Sequence, residues 1–313
     1  MNDRPRSPPP LVAESVCSSV SADRRPGASG LSLLRRWRTI ERGDDRIGTT
    51  PRPRQIVALG GGGFSDEPDN PLLDDFALSL TGRSRPRICF LPTASGDSKG
   101  YVEAFYRAFP ATRAEATHLP LFRRAVADLG AFVQQQDLIY VGGGNTANML
   151  AVWRVHGLDA ILREAWSRGV VLCGISAGGM CWFEEGLTDS FGLDVKPLRD
   201  GFGLLSGSFC PHYDSEAGRR AAYRAAIASG LRDGYAADDG VALHYVDGQV
   251  REVVSSRPAA RAYRVARAES GVVEVELRPR YLGALSSAEA GTAPPRNDSG
   301  SADRTIARPA GKD

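Results

Sequence analysis

Gly174-Ile175-Ser176-Ala177-Gly178 follows the apolar run Gly169-Val170-Val171-Leu172-Cys173 and leads into Gly179-Met180-Cys181-Trp182-Phe183. An apolar run that breaks at a glycine, a small polar residue and a second glycine reads as a buried strand turning sharply into a helix, here spanning 177–183. The glycines relieve backbone crowding, and the pattern G-x-S-x-G sets its serine at the apex of the turn. Two readings of Ser176 are open at this point: a nucleophile on a strained turn, or a small residue in a tight connection. The same strand-then-glycine pattern recurs where Gln55-Ile-Val-Ala-Leu59 runs into Gly60-Gly-Gly-Gly63 and Leu138-Ile-Tyr-Val141 into Gly142-Gly-Gly-Asn145-Thr146. Short, almost continuous apolar strands at 55–59, 87–92, 138–141 and 170–173 alternate with helical spacing at 72–80, 101–109, 147–155 and 158–166. That alternation predicts an α/β fold whose parallel sheet is covered on both faces. Open sheets of this kind hold ligands at the C-terminal ends of their strands, where all three glycine turns fall. Later β-like runs at 241–246, 250–254, 262–265 and 272–277 have no helices between them and predict an antiparallel extension at the sheet edge.

Composition bounds the function classes. With 313 residues, 42% hydrophobic and 24% charged, the chain can bury a full core. Its 39 basic and 37 acidic residues leave a net charge of +2, which argues for neither nucleic acid nor an anionic membrane as a partner. No apolar run reaches the roughly 18 residues that span a bilayer. Scattered cysteines without C-x-x-C spacing suit a reducing cytoplasm, the expected location, and no histidines or cysteines stand at zinc spacing, so no metal is expected. The Arg/Pro/Ser-rich segment 1–53 reads as a disordered arm and 286–313 as a disordered tail, with one working domain at 54–285. A homodimer stays open.

A serine nucleophile needs a base, because its hydroxyl is a poor nucleophile at neutral pH. Of the four histidines, His118 and His244 sit in β-like runs and His156 at a helix end, where each has a structural use. His212, in Cys210-Pro-His-Tyr-Asp214, lies in a loop and is the candidate base. Asp189 and Asp239 both qualify by loop context as the carboxylate that would fix the imidazole, and spacing does not choose between them. Amide donors for a developing oxyanion would come from Ala177, beside the serine, and from Gly143 or Gly144. His212 follows Ser176 too closely for a standard α/β-hydrolase, whose histidine comes last. The run at 60–63 lacks the G-x-G-x-x-G spacing of a dinucleotide site.

Taken together, Val141-Gly-Gly-Gly-Asn-Thr146, Gly174-Ile-Ser-Ala-Gly-Gly179, Thr188-Asp189 and Cys210-Pro-His-Tyr-Asp214 resemble peptidase E, the α-aspartyl dipeptidase family of serine peptidases. Its relatives include cyanophycinase and, in fold, the class I glutamine amidotransferases. The resemblance implies a flavodoxin-like three-layer fold, Ser176 as nucleophile, His212 as base, and an oxyanion hole from Gly143, Gly144 and Ala177, with Asn145 binding substrate. It puts Asp189 in the place usually given to the acid and Asp239 in that of a second acidic residue, where a glutamate is common. The implied substrate is a small peptide, a dipeptide with N-terminal Asp, cleaved without metal or organic cofactor. A cation would have to hold that aspartate, and Arg199, Arg219 and Arg220 are the candidates. A serine amidohydrolase or esterase, or a non-catalytic binding protein, are the alternative readings of the same fold.

Overall fold

The chain's computed structural model describes residues 52–284, so the arm expected at 1–53, apart from Arg52 and Pro53, and the tail at 286–313 lie outside the described residues. Strand β1 (Gln55–Leu59) shows why the central sheet is covered on both sides. Ile56 and Ala58 point into one hydrophobic cluster, Val57 and Leu59 into another, and none of the four is accessible to solvent. The same alternation runs through β2 (Arg87–Leu91), β4 (Leu138–Val141) and β5 (Val171–Ile175), with β3 (Glu115–His118) at the edge. Apolar residues on both faces of a strand demand a layer above and a layer below. One layer is α1 (Gly63–Asp66), α2 (Leu72–Ser79) and α3 (Lys99–Ala108); the other includes α4 (Leu129–Gln134), α5 (Thr146–His156) and α6 (Leu158–Ser167).

The five strands β1 to β5 run parallel in the order β1-β5-β4-β2-β3. This is the flavodoxin-like, glutamine-amidotransferase-like arrangement expected from the sequence. The serine elbow at the end of β5 opens α7 (Ala177–Met180), which stops after one turn instead of reaching 183. Met180, Cys181, Trp182 and Phe183 are all buried, so the segment has no polar face to offer as a surface helix and dives into β6 (Phe183–Thr188).

The antiparallel extension divides in two. After β7 (Lys196–Leu198), β8 (Leu205–Cys210), α8 (Arg219–Ala228) and β9 (Gly234–Ala237), strands β10 (Val241–Val246) and β11 (Gln249–Ser255) extend the main sheet beside β1. The other two expected runs, β12 (Ala262–Ala268) and β13 (Gly271–Leu277), instead join β6 to β9 in a second, six-stranded sheet. The short strand β14 (Arg280–Tyr281) closes the main edge by pairing with β11, and β12 finds its partner in β9. Phe183 and Phe209 stack at 5.1 Å and belong to the same cluster as the strands of the main sheet, which joins the two sheets through one core. Among the described residues no helix is long and apolar enough to cross a membrane.

One polar group is enclosed beneath the first glycine turn. Asp74 of α2 is 2% exposed and accepts the Tyr140 hydroxyl at 2.9 Å, directly under Gly63, whose added Cβ would stand 2.8 Å from that hydroxyl. Burial pushes the Asp74 carboxyl up to about 6, against the lowering effect of the Tyr140 hydrogen bond. A carboxyl raised on folding favours the folded state fully below its unfolded value near 4, and that contribution is lost as pH rises through about 6. Asp74→Asn should therefore raise stability by roughly 2 kcal/mol at pH 7.5 and by little at pH 4. Urea denaturation midpoints at the two pH values check this, and equal effects at both would refute it.

Candidate active site

The site is built at the C-terminal ends of β1, β4 and β5. Gly174 and Gly178 are dictated by close approach: a Cβ at Gly174 would lie 2.1 Å from the Gly178 carbonyl oxygen, and one at Gly178 would lie 2.4 Å from that of Val141. Between them Ser176 adopts φ 54° and ψ −113°. Positive φ costs a residue with a side chain about 1–3 kcal/mol and persists only where surrounding contacts enforce it. Here the Ser176 N–H donates to the Leu59 carbonyl at 3.1 Å, while the Ser176 carbonyl accepts from Met180 at 2.8 Å.

His212 comes to the same place from the second sheet. It follows β8, also at φ 54°, and its N–H donates to the Gly60 carbonyl at 3.3 Å, one residue beyond the Ser176 anchor. β8 and β9 run parallel with Ser208 opposite Gly234 and Cys210 opposite Ala236, and continuing that register past the strand ends brings His212 beside 238–239. Its Nδ1 lies 2.7 Å from Asp239 Oδ1, and both side chains are about four-fifths buried. The Asp239 N–H donates to Asp214 Oδ1 at 2.9 Å, and Asp239 forms a parallel bridge with Gly61.

Asp189, the acid in the usual place, is not brought to His212. It is exposed beyond β6, whereas the imidazole's carboxylate partner is the second candidate, Asp239.

The sequence pattern of peptidase family S51 matches residues 56–253. The chain belongs to peptidase family S51. It is 55% identical over 233 residues to the uncharacterized peptidase YgaJ of Bacillus subtilis (strain 168), covering 74% of this chain and 100% of that one. It is 30% identical over 152 residues to the uncharacterized peptidase Lmo0363 of Listeria monocytogenes, covering 46% of this chain and 73% of that one. The crystal structure of a peptidase from an acI-B1 Actinobacterium shares the fold at 19% identity, with a TM-score of 0.54 over 73% of this chain and 96% of that one.

The S51 chain's glycine run at 60–63 has a use that its sequence did not disclose. A Cβ at Gly61 would stand 2.1 Å from Asp239 Oδ1 and 3.0 Å from His212 Nδ1, so only a glycine lets the imidazole and carboxylate meet over the end of β1. The available clue was a four-glycine run at a strand end that fits no phosphate-binding spacing.

The Gly142–Asn145 turn has its amides unequally engaged. Gly142 N–H donates to Leu91 O at 3.1 Å, Gly143 N–H to the Tyr101 hydroxyl at 3.1 Å and Asn145 N–H to Ala94 O at 2.8 Å. Gly144, exposed and at φ 132°, has an N–H without an acceptor among the described residues. Ala177 opens α7, where first-turn amides have no intrahelical acceptor. Thus Gly144 and Ala177 have amides to offer a ligand, and Gly143 does not. Asn145, expected to bind substrate, is committed otherwise: its Oδ1 caps α5 by accepting the Asn148 N–H at 2.8 Å, and its Nδ2 donates to Ser190 O at 3.0 Å.

The three arginines also separate. Arg199 is held by Glu185 and the Gly230 carbonyl, and Arg220 stacks on Tyr213 and Tyr263 while paired with Glu274. Arg219 is 4% exposed, donates to Leu187 O at 3.3 Å and pairs with Glu216, and its buried Nε has no partner among the described residues. It is close enough to His212 for its charge to oppose protonation of the ring.

Burial works to lower the His212 pKa, but the hydrogen bond and charge of Asp239 outweigh it and hold the imidazole above its ordinary value. Burial works to raise Asp239, and its bond to His212 leads the interactions that bring it below the usual range. Replacing Asp239 by Asn should therefore move the His212 titration to lower pH, and Asp189→Asn should leave it in place. With four histidines in the chain, NMR titration of the ring protons reads this directly. A His212 midpoint that responds to Asp189→Asn and ignores Asp239→Asn would reverse the assignment.

Proposed function

We propose that this S51 peptidase is a serine peptidase that hydrolyses short peptides, in particular dipeptides with N-terminal aspartate, through an acyl-enzyme on Ser176. The observation that carries the reading is the 2.7 Å contact of His212 Nδ1 with Asp239, formed at the strand end that also anchors Ser176. With Nδ1–H donated to the carboxylate, Nε2 is the nitrogen left to take the Ser176 proton. Ser176 Oγ then bonds to the scissile carbonyl carbon, and the carbonyl oxygen becomes an oxyanion facing the amides of Ala177 and Gly144. As the C–N bond breaks, the imidazolium returns its proton to the departing amine. Water, deprotonated by the same Nε2, attacks the ester and releases the acid with Ser176 restored. No hydrogen bond joins the Ser176 hydroxyl to His212 among the described residues, and catalytic hydrogen bonds of this kind tighten when substrate binds.

The preference for aspartate rests on Arg219. It is buried, near enough to His212 for its charge to act on the ring, and its Nε has no partner among the described residues; a guanidinium out of water holds a carboxylate by strong charge-assisted bonds. The test is release of free amino acid from a dipeptide panel led by Asp-Xaa. Ser176→Ala should abolish cleavage, and Arg219→Gln should lower kcat/KM on Asp-Xaa by about 10- to 100-fold, the worth of hydrogen bonds to a charged group. Cleavage of Xaa-Xaa dipeptides with no advantage for aspartate would refute the specificity while sparing the serine mechanism. Hydrolysis that survives Ser176→Ala would refute the mechanism itself.

A further inference from the structure

Tyr101 lies on α3, outside every motif that marks the serine site, yet it touches the turn opposite Ser176. Its hydroxyl accepts the Gly143 N–H at 3.1 Å, and its ring fills the space where a Gly142 side chain would be, 2.9 Å from that ideal Cβ. The phenol is fixed from behind by Phe64 and Phe90, at ring separations of 5.5 and 5.0 Å. Burial raises its pKa, so the hydroxyl stays protonated at neutral pH while its oxygen accepts the Gly143 N–H. On the other side of the same turn, a Cβ at Gly143 would lie 4.0 Å from Ser176 Oγ.

The Tyr101 hydroxyl fixes the Gly142–Gly143 peptide plane through the Gly143 N–H, and that plane sets where the next one, which carries the Gly144 N–H, begins. We infer that Tyr101 is a positioning residue for the oxyanion: by taking up the Gly143 amide it orients the turn so that the Gly144 amide, which has no protein acceptor among the described residues, is the one presented to the attacked carbonyl. This rests on the reading of Ser176 as nucleophile but not on the identity of the peptide cleaved. Without the hydroxyl, the Gly143 N–H would seek another acceptor, the Gly142–Gly143 plane would rock and carry the next plane with it, and misplacement by about an ångström costs on the order of 100-fold in rate.

The test uses a reagent that reports on the serine without presuming a substrate. A fluorophosphonate forms a bond from phosphorus to Ser176 Oγ, expels fluoride, and develops its negative charge where the oxyanion would lie. Tyr101→Phe keeps the ring and removes only the hydroxyl. It should slow the first-order step of labelling by about 10- to 100-fold with the half-saturating reagent concentration little changed. Melting temperatures taken alongside distinguish this from unfolding, and rates are compared at equal distance below each variant's own midpoint. Labelling of Tyr101→Phe at the wild-type rate overturns the proposal. A faster rate also overturns it, since the phenol would then be a plug on the amide. Wild-type protein that takes no label at Ser176 removes the oxyanion and the proposal with it. Labelling that slows in Tyr101→Phe, in a protein that cleaves no Asp-Xaa dipeptide, leaves the role of Tyr101 standing and refutes the aspartyl specificity alone.

Discussion

The carbonyl oxygens of Leu59 and Gly60, at the end of the central strand, accept the backbone N–H groups of Ser176 and His212 at 3.1 and 3.3 Å. Two segments from different sheets are thereby hung from adjacent peptide units, and the candidate site inherits its geometry from that shared peg. Its stiffness comes from β1, whose residues 56–59 are fully buried and which is paired on both sides, with β5 and with β10. Backbone strain at Ser176 and His212 is tolerable for the same reason. Each is fixed at both ends by hydrogen bonds, so relaxing its φ would break contacts worth more than the strain released.

Close approach is the second requirement, and glycine supplies it at chosen points. Gly174 and Gly178 let the elbow fold onto the end of β4, and Gly61 lets Asp239 reach the His212 ring. The electrostatics follow from this crowding. An aspartate and an imidazole that would each resist charge when buried instead stabilise each other's charge, the ring held above and the carboxyl below its ordinary range. Asp74 shows the contrasting case nearby, a carboxyl with a phenol for company and no cation in contact among the described residues, pushed toward neutrality by its burial.

The parts of the fold legible in the sequence were those with local signatures. Strands with apolar residues on both faces, such as 55–59 and 138–141, could only be interior strands, and G-x-S-x-G after 170–173 fixed the elbow. What could not be read was decided by long-range pairing. Whether 262–265 and 272–277 lengthen the main sheet or leave it depends on β14 occupying the edge, and two residues of pairing at 280–281 carry no distinctive pattern. The choice between Asp189 and Asp239 turned on the parallel register of β8 and β9, which a crossover helix separates in sequence. Asn145 had the right chemistry for substrate but was taken by the helix it caps, a competition that polar residues before a helix routinely enter. Tyr101 lay in a helix whose spacing explained it fully as core.

The order in which the chain supplies its parts has a consequence during synthesis. Ser176 and the five parallel strands precede His212, and the carboxylate that fixes the imidazole arrives only at residue 239, followed by β10, which completes the pairing of β1. A nascent chain that has emerged through the serine elbow therefore holds a hydroxyl with neither base nor acid beside it. Under the mechanism proposed above, the serine can be activated only once the second sheet has closed.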